Sequence, residues 1–141
     1  MTLTEIKTTL NNCYKLIRLR NIQEKLLNEA RADVENLKGT DYSTERVAGG
    51  VGQSSIELLL DRVMRREQQY KDTCRRLCLL ESTAEELIAL TYQKTTIYNI
   101  MKEHFLNGRD VMDIARERYM SYQVAYNNIS KGYQTILRAV G

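Results

Sequence analysis

The chain has 141 residues, of which 28% are charged and 43% hydrophobic, and its formal net charge is +3. This composition is typical of a globular protein of one domain, or of one small domain with an extension, and excludes a disordered chain. No apolar run is long enough to span a bilayer and no signal segment begins the chain, so we expect a cytoplasmic protein with no membrane contact. The absence of proline favours long helices.

The first predicted element is a helix of about 35 residues that begins at a capping box formed by Thr2 and Glu5 and ends near Gly39. Its apolar residues recur at spacings of three and four, slip in phase once, and then continue. They are Leu3, Ile6, Leu10, Cys13 and Ile17, followed by Leu19, Ile22, Leu26, Ala30, Val34 and Leu37. Such a helix is roughly 50 Å long at 1.5 Å per residue and needs a partner along its apolar stripe.

Residues 39–53 contain four glycines and no hydrophobic periodicity, so we interpret them as a loop. An ordered connector and a flexible turn are both open alternatives. A second capping box, Ser54 with Glu57, then predicts the start of a second helix. Its seam repeats every three or four residues through Ile56, Leu60, Val63, Glu67, Tyr70, Cys74, Leu77 and Glu81.

These two helices predict a long antiparallel hairpin over residues 1–81, because each amphipathic stripe must bury against another element. Pairing between two chains would bury the same stripes, which leaves a homodimer or a higher homo-oligomer open. A third capping box, Ser82 with Glu85, predicts a short helix that begins a second region, residues 82–141. Cys13, Cys74 and Cys78 are expected to be reduced thiols that act as small core residues.

The last third of the chain predicts three further helices. Ile97, Ile100, Met101 and Phe105 share one helix face, and Asn107-Gly108 predicts a turn. A short helix follows, with Val111, Ile114 and Ala115 as its apolar residues. Ser121 is suited to cap a last helix that begins at about Tyr122, and the apolar stripe of that helix is Ala125, Ile129, Gly132, Tyr133 and Ile136.

This pattern of Gly108, Ile114-Ala115, Ser121 and the apolar spacing to Ile136 resembles region 4 of sigma factors. It is more closely similar to the ArpU-type sigma-like regulators of phages and prophages of Gram-positive bacteria. Residues 44–50, Ser54-Ser55 and Leu87-Ile88 to Leu90 also fit those proteins, so the resemblance covers roughly residues 47–139.

The sequence departs from the sigma-type motif at two places. Arg118 and Tyr119 stand where that motif usually has an apolar residue followed by glycine. His104-Phe105-Leu106 stands where the first helix often ends in an Arg-Tyr pair before an aliphatic residue.

The resemblance implies an all-α protein in which the hairpin is followed by a helix-turn-helix head at residues 82–141. It implies a phage or prophage transcription regulator that binds double-stranded DNA in the bacterial host cytoplasm and controls late genes. It also implies RNA polymerase as a protein partner.

The distribution of charge along the chain agrees with this expectation of DNA binding. Lys and Arg against Asp and Glu number 8 to 7 in residues 1–50, 6 to 7 in residues 51–93 and 7 to 4 in residues 94–141. The excess of the last third, 7 − 4 = +3, equals the net charge of the chain, and a basic segment favours phosphate attraction.

The candidate DNA-binding residues belong to two classes. Gln and Asn can pair with adenine in the major groove, and the first residues of a recognition helix contact bases, so Tyr122, Gln123, Tyr126 and Asn127 are the expected base contacts. The expected phosphate contacts are Arg109, Arg116, Arg118 and Lys131. The alternative is a solvated polar face, in which Arg116 or Arg118 pairs with Asp113 or Glu117 at the surface.

Signals of an enzyme are absent from the sequence. The single histidine, His104, has no partner at ligand spacing, and Cys74 with Cys78 would supply only half of a zinc site. We therefore predict no catalytic activity, no cofactor and no metal. The competing functions are a small terminase-like or other assembly protein that oligomerises through the hairpin, and an interaction protein whose head does not bind DNA.

Overall fold

A computed structural model describes residues 1–38 and 50–141 of the chain, and all regular structure in these residues is helical. In chain order the elements are α1 (Leu3–Lys38), α2 (Gly50–Ala89), α3 (Thr95–Met101), a π-helical turn (Lys102–Leu106), α4 (Val111–Glu117) and α5 (Tyr122–Val140). The all-α class is confirmed for these residues. None of their helices combines the length and apolar character needed to cross a membrane.

Helix α1 begins at the predicted capping box. The backbone N–H of Glu5 donates to Thr2 Oγ1 at 3.2 Å, and the N–H of Thr2 donates to Glu5 Oε2 at 3.1 Å. The pair therefore satisfies two backbone donors that have no partner within the helix. Farther along, the stripe of Ile6, Leu10, Cys13 and Ile17 is completely buried, as the spacing predicts.

The predicted slip in the phase of α1 is wrong. Leu19 and Ile22 are 39% and 55% exposed, whereas Leu27 is buried together with Ala30 and Val34. The buried face instead continues without a break from the first half of the helix through two half-buried polar residues, Arg20 and Gln23. Long polar side chains can cover an apolar stripe with their methylene groups, so apolar residue type alone does not identify the buried face.

Helix α2 begins earlier and ends later than predicted. It starts at Gly50, four residues before the expected cap at Ser54, so residues 50–53 are helical; residues 39–49 of the predicted loop lie outside the described residues. The helix also continues through Ser82, so the predicted third capping box does not form and the expected boundary at 81/82 lies inside α2. Burial of Leu77, Ala84 and Ile88 on one side maintains the helix across that point.

The chain divides into two compact units, Leu19–Cys74 and Met1–Arg18 with Arg75–Gly141. In the first of these, Arg31 Nη2 of α1 lies 3.7 Å from Glu67 Oε2 of α2, and Lys71 Nζ lies 2.9 Å from Glu67 Oε1. The Lys71 hydrogen bond, with a smaller contribution from Arg31, lowers the pKa of Glu67. The contact between Arg31 and Glu67 is consistent with α1 and α2 running side by side, as in the predicted hairpin, whereas the Lys71 contact lies within α2.

The core of the other unit is formed by apolar side chains that no solvent reaches. Phe105 of the π-helical turn is among its largest members. It belongs to one cluster with Ile6, Leu10, Ile17, Leu77, Ile88, Ile100, Met101, Ile114 and Ile136. The cysteines differ from one another: Cys13 is buried, Cys74 is half-buried and Cys78 is exposed, so the predicted core role of Cys78 is wrong.

Helix α5 approaches α3 closely at Gly132. A Cβ atom at this position would lie 2.8 Å from Sδ of Met101, which is itself fully buried. Real Cβ atoms do not approach other atoms so closely, so the absence of a side chain at Gly132 lets the two helices pack at this distance. This contact fixes which face of α5 points away from the core.

Candidate functional site

The turn before α4 forms at the predicted Asn107-Gly108 pair. Gly108 has a φ of 70°, a left-handed conformation that glycine adopts without steric cost. Arg18 of α1 donates from Nη1 to the Gly108 carbonyl at 3.2 Å. Helix α4 then starts at Asp110, whose Oδ1 accepts from the N–H of Met112 at 3.3 Å. The turn and the cap together set the direction in which α4 leaves.

His104 stabilises the same turn through a hydrogen bond to its backbone. Its Nδ1 lies 2.6 Å from the carbonyl oxygen of Arg109, so Nδ1 carries the proton and donates it in this hydrogen bond. Its ring stacks on Tyr14 with 4.3 Å between the ring centroids. Burial lowers the pKa of His104, against the opposing effect of the Arg109 hydrogen bond. The histidine is therefore a neutral structural group.

The turn after α4 contains a tyrosine in a backbone conformation that usually requires glycine. Tyr119 has a φ of 53°, and its side chain is 98% exposed. The N–H of Tyr119 bonds to the carbonyl of Arg116 at 3.3 Å, and the N–H of Met120 bonds to the carbonyl of Ala115 at 3.0 Å. This is the hydrogen-bond pair of a Schellman motif. The turn thus adopts the geometry that glycine gives, although the sequence has tyrosine there.

Helix α5 begins where the sequence predicts. Ser121 is its N-cap, and Ser121 Oγ accepts from the N–H of Val124 at 3.2 Å. The inner face is buried through Ala125, Ile129, Gly132 and Ile136. Tyr133 lies at the edge of this face, and burial raises its pKa to about 12.

The outer face of α5 carries the predicted base contacts, all of which are exposed: Tyr122, Gln123, Tyr126 and Asn127. Gln123 Nε2 donates to Asn127 Oδ1 at 3.0 Å, which aligns the two amides along the helix. The rings of Tyr122 and Tyr126 are stacked with their centroids 6.2 Å apart.

The charged side chains near the C-terminal end of the chain are all basic. Residues 118–141 contain three basic residues, Arg118, Lys131 and Arg138, and no acidic residue. The outer face of α5 therefore has no carboxylate that would repel a phosphate.

The four predicted phosphate contacts divide into two pairs. Arg116 and Lys131 are exposed. Arg109, in contrast, donates from both terminal nitrogens to the carboxylate of Glu117, each at 2.6 Å, and this pairing lowers the pKa of Glu117. Arg118 Nη2 lies 3.1 Å from Glu103 Oε1. Arg109 and Arg118 are thus neutralised within the protein.

The sequence did not predict Glu103 as part of this site, and it indicated Tyr119 only as a departure from the usual turn glycine. Glu103 accepts from Arg118 although fifteen residues separate them, and Tyr119 supplies both the left-handed turn residue and a fully exposed ring. The departure of Tyr119 from the sigma-type glycine was the one available signal, since a residue in place of a turn glycine must itself take the left-handed conformation.

Comparison of the chain with protein-family models, with curated proteins and with solved structures gave no match.

Proposed function

We propose that α4 and α5 form a helix-turn-helix of the sigma region 4 type, and that α5 enters the major groove of double-stranded DNA. One observation carries this proposal: the exposed face of α5, directly after a capped four-residue turn, presents the amides of Gln123 and Asn127 without any carboxylate. Recognition helices contact bases with their N-terminal residues, and these two amides lie within the first two turns of α5.

The chemistry of this face fits duplex DNA. An Asn or Gln side chain can donate to N7 of adenine and accept from its N6 amino group in a bidentate pair, and each such pair discriminates against other bases by about 1–3 kcal/mol. Tyr122 and Tyr126 flank the amides and offer apolar surface for a thymine methyl group. Sequence preference would therefore depend on Gln123 and Asn127.

The ion pairs change the expected roles of the arginines. Arg116 and Lys131 are the phosphate contacts in this proposal, because their side chains are exposed. Arg109 and Arg118 stabilise the two turns around α4 through Glu117 and Glu103. Substitution of Arg116 should therefore weaken binding equally on all sequences, whereas substitution of Arg118 should first disturb the turn.

The regulatory part of the proposal depends on the resemblance to ArpU-type regulators. On that basis the protein is a phage or prophage transcription regulator of late genes, acts in the bacterial host cytoplasm, and has RNA polymerase as a partner. The mixed charges of the long helices suit a protein partner of this kind.

The test is selection from a pool of random duplex DNA, with sequencing of the retained molecules at two salt concentrations. We expect an enriched motif that survives the higher salt, because base contacts persist where phosphate attraction is screened. The double variant Gln123→Ala/Asn127→Ala should lose the motif and keep the fold. A matched control is Asn12→Ala/Gln69→Ala, which removes two exposed amides from α1 and α2.

Two results would contradict the proposal. Retention of the same motif by Gln123→Ala/Asn127→Ala would show that the base contacts lie elsewhere. Failure of the native protein to retain any duplex at either salt concentration would remove DNA binding altogether and favour an interaction protein.

An assembly protein is a second candidate, and α2 supplies an observation in its favour. Leu60 and Met64 are exposed one turn apart on the same face of α2, as in a surface that covers another subunit. Light scattering distinguishes the two functions. A ring of many subunits, with DNA retained only at low salt and without a motif, would favour assembly over site-specific regulation; a homodimer would remain compatible with a regulator.

A further inference from the structure

A groove runs between residues 89–94 and the C-terminal half of α5. It consists of two adjoining cavities of about 390 and 280 Å³, which share Lys94 and Thr135 in their walls. Lys94 Nζ donates to Thr135 Oγ1 at 3.2 Å, and Thr135 Oγ1 donates to the carbonyl of Lys131 at 2.9 Å. Lys94 is thus held against α5, although it lies 41 residues away in sequence.

The smaller cavity is lined entirely by side chains that can donate hydrogen bonds. They are Lys94, Ser130, Lys131, Gln134, Thr135 and Arg138. Three of them are cations, and among the described residues no carboxylate lines either cavity. Cations that line one cavity together with hydroxyl and amide donors, with no acid among them, have the composition of a phosphate site.

The groove continues the proposed base-contacting face along the same helix. Gln123, Asn127, Lys131, Gln134 and Arg138 follow one another at spacings of four, four, three and four, so they share one side of α5. Arg138 lies about 16 Å beyond Asn127 at 1.5 Å per residue. The major groove is about 12 Å wide, so if the N-terminal end of α5 enters it and the helix crosses it, the C-terminal half extends over the phosphates that border it.

We propose that this groove binds phosphate groups of the DNA backbone, with Lys94, Lys131 and Arg138 as the charged contacts. The inference rests on the proposed function for the identity of the ligand. The proposal adds two residues that raise the affinity for DNA without a preference for sequence. They are Arg138 and Lys94, of which Lys94 lies outside α4 and α5. A free phosphate compound would satisfy the same donors, so the test has a separate arm for each source.

The first arm measures duplex DNA binding at several salt concentrations for Lys94→Gln and Arg138→Gln. Each variant should weaken binding several-fold on every sequence and reduce the slope of log K against log salt by about 0.9 for each phosphate that the variant no longer neutralises. The enriched motif should remain that of the native protein. Gln retains a donor for Thr135, and both residues are exposed, so the fold should persist.

The matched control is Lys15→Gln, which removes the same charge from an exposed position of α1 that does not line the groove. Its slope should equal that of the native protein. If Lys94→Gln and Arg138→Gln show the same slope and affinity as this control while the native protein binds DNA, the inference is overturned.

The second arm uses pyrophosphate as the probe and decides the case in which the native protein binds no DNA. Amide resonances of Lys94, Ser130 and Thr135 are followed during a titration of the native protein and of Lys94→Gln. Shifts that saturate in the native protein and disappear in the variant would assign the groove to a free phosphate compound and show that only the proposed function had failed. The absence of shifts, together with the absence of DNA binding, would overturn the proposal that the groove binds phosphate groups.

Discussion

Residues 95–141 and the unit Leu19–Cys74 bury their apolar side chains to different extents. In the C-terminal helices, Ile100, Met101, Phe105 and Ile136 are all essentially inaccessible to solvent, although Met112 and Val124 are exposed. In Leu19–Cys74 the half-buried positions include polar residues such as Glu67, while Ile22, Leu58 and Met64 remain exposed. Residue type therefore predicts burial better in the first region than in the second.

The difference follows from the lengths of the elements. Tight turns set the orientation of the short helices that they join. The same side of each helix therefore always packs against the core, and the apolar residues on that side are buried. Two long helices in contact can cover their stripe with the stems of long polar residues, and the half-buried Arg20 and Gln23 occupy such positions on α1. Truncation of side chains should thus affect the two regions very differently.

The largest expected effect is that of Phe105→Ala. This ring is 1% exposed and contacts the rings of His104 and Tyr133. Its removal should lower the free energy of unfolding by about 3–5 kcal/mol, because it leaves a cavity in the core. The matched truncation Leu58→Ala, at a residue 66% exposed, should change it by less than about 0.5 kcal/mol. Urea denaturation measures both, and similar losses would contradict the comparison.

Gly132→Ala is expected to lower the free energy of unfolding by less than Phe105→Ala does. The new methyl group would approach Met101 Sδ to 2.8 Å, and Met101 is fully enclosed, so its side chain or the helices must shift, at a cost of about 1–3 kcal/mol. In a Met101→Ala background the clash is absent and the same substitution should cost little. A double-mutant cycle by thermal denaturation measures this coupling. Equal costs in the two backgrounds would show that Met101 is not the opposing group.

The fold was predictable from sequence where the chemistry is local. The capping box of Thr2 with Glu5, the turn at Gly108 and the cap at Ser121 each involve residues within four positions, and all three formed. The signals at Ser54 and Ser82 are equally local, yet α2 is continuous across both. A capping motif shows that a helix can begin at a residue; it does not prevent a helix that is stabilised by packing from passing through it.

The candidate site, like the fold, was predictable from sequence only where the contacts are local. Helical phase alone placed the exposed amides of α5 on its outer face. The partners of Arg109 and Arg118 lie eight and fifteen residues away, and Lys94 reaches Thr135 across 41 residues. Such contacts depend on how α3, α4 and α5 pack, and no local spacing specifies them. For this reason the sequence predicted all four cations as phosphate contacts, and its alternative of local ion pairs named neither the pairing of Arg109 with Glu117 nor that of Arg118 with Glu103.

A gain in stability is expected from Tyr119→Gly. Glycine adopts a φ of 53° without the steric cost that a side chain incurs, and the exposed ring of Tyr119 makes no buried contact, so the variant should gain about 0.5–1 kcal/mol. The same change at Tyr126, an exposed position inside α5, should lose about 0.5–1 kcal/mol. Thermal denaturation distinguishes the signs. A loss at Tyr119 would mean that its ring stabilises the turn in the folded protein.

The smallest expected effect is a pH dependence confined to one of the two regions. The chain has a single histidine, His104, and burial holds its pKa below the ordinary value of 6.5. Above pH 6.5 the imidazole is neutral in the folded and unfolded chains, and its contribution to stability is complete. As the pH falls from 6.5 towards the lowered pKa, the unfolded chain binds a proton that the folded chain does not, so the free energy of unfolding decreases.

Hydrogen exchange can locate this loss, because it measures the opening of individual amides. The melting temperature should fall between about pH 7 and pH 5 in the native protein and fall less in His104→Asn, which does not titrate in this range. Within the native protein, amides of residues 102–117 should lose protection, whereas those beside Glu67 should not, since the one histidine of the chain lies elsewhere. Carboxylates such as Glu117, whose pKa is lowered by Arg109, affect stability only at more acidic pH. An equal loss of protection in both regions would show that opening is global and that the two units unfold as one.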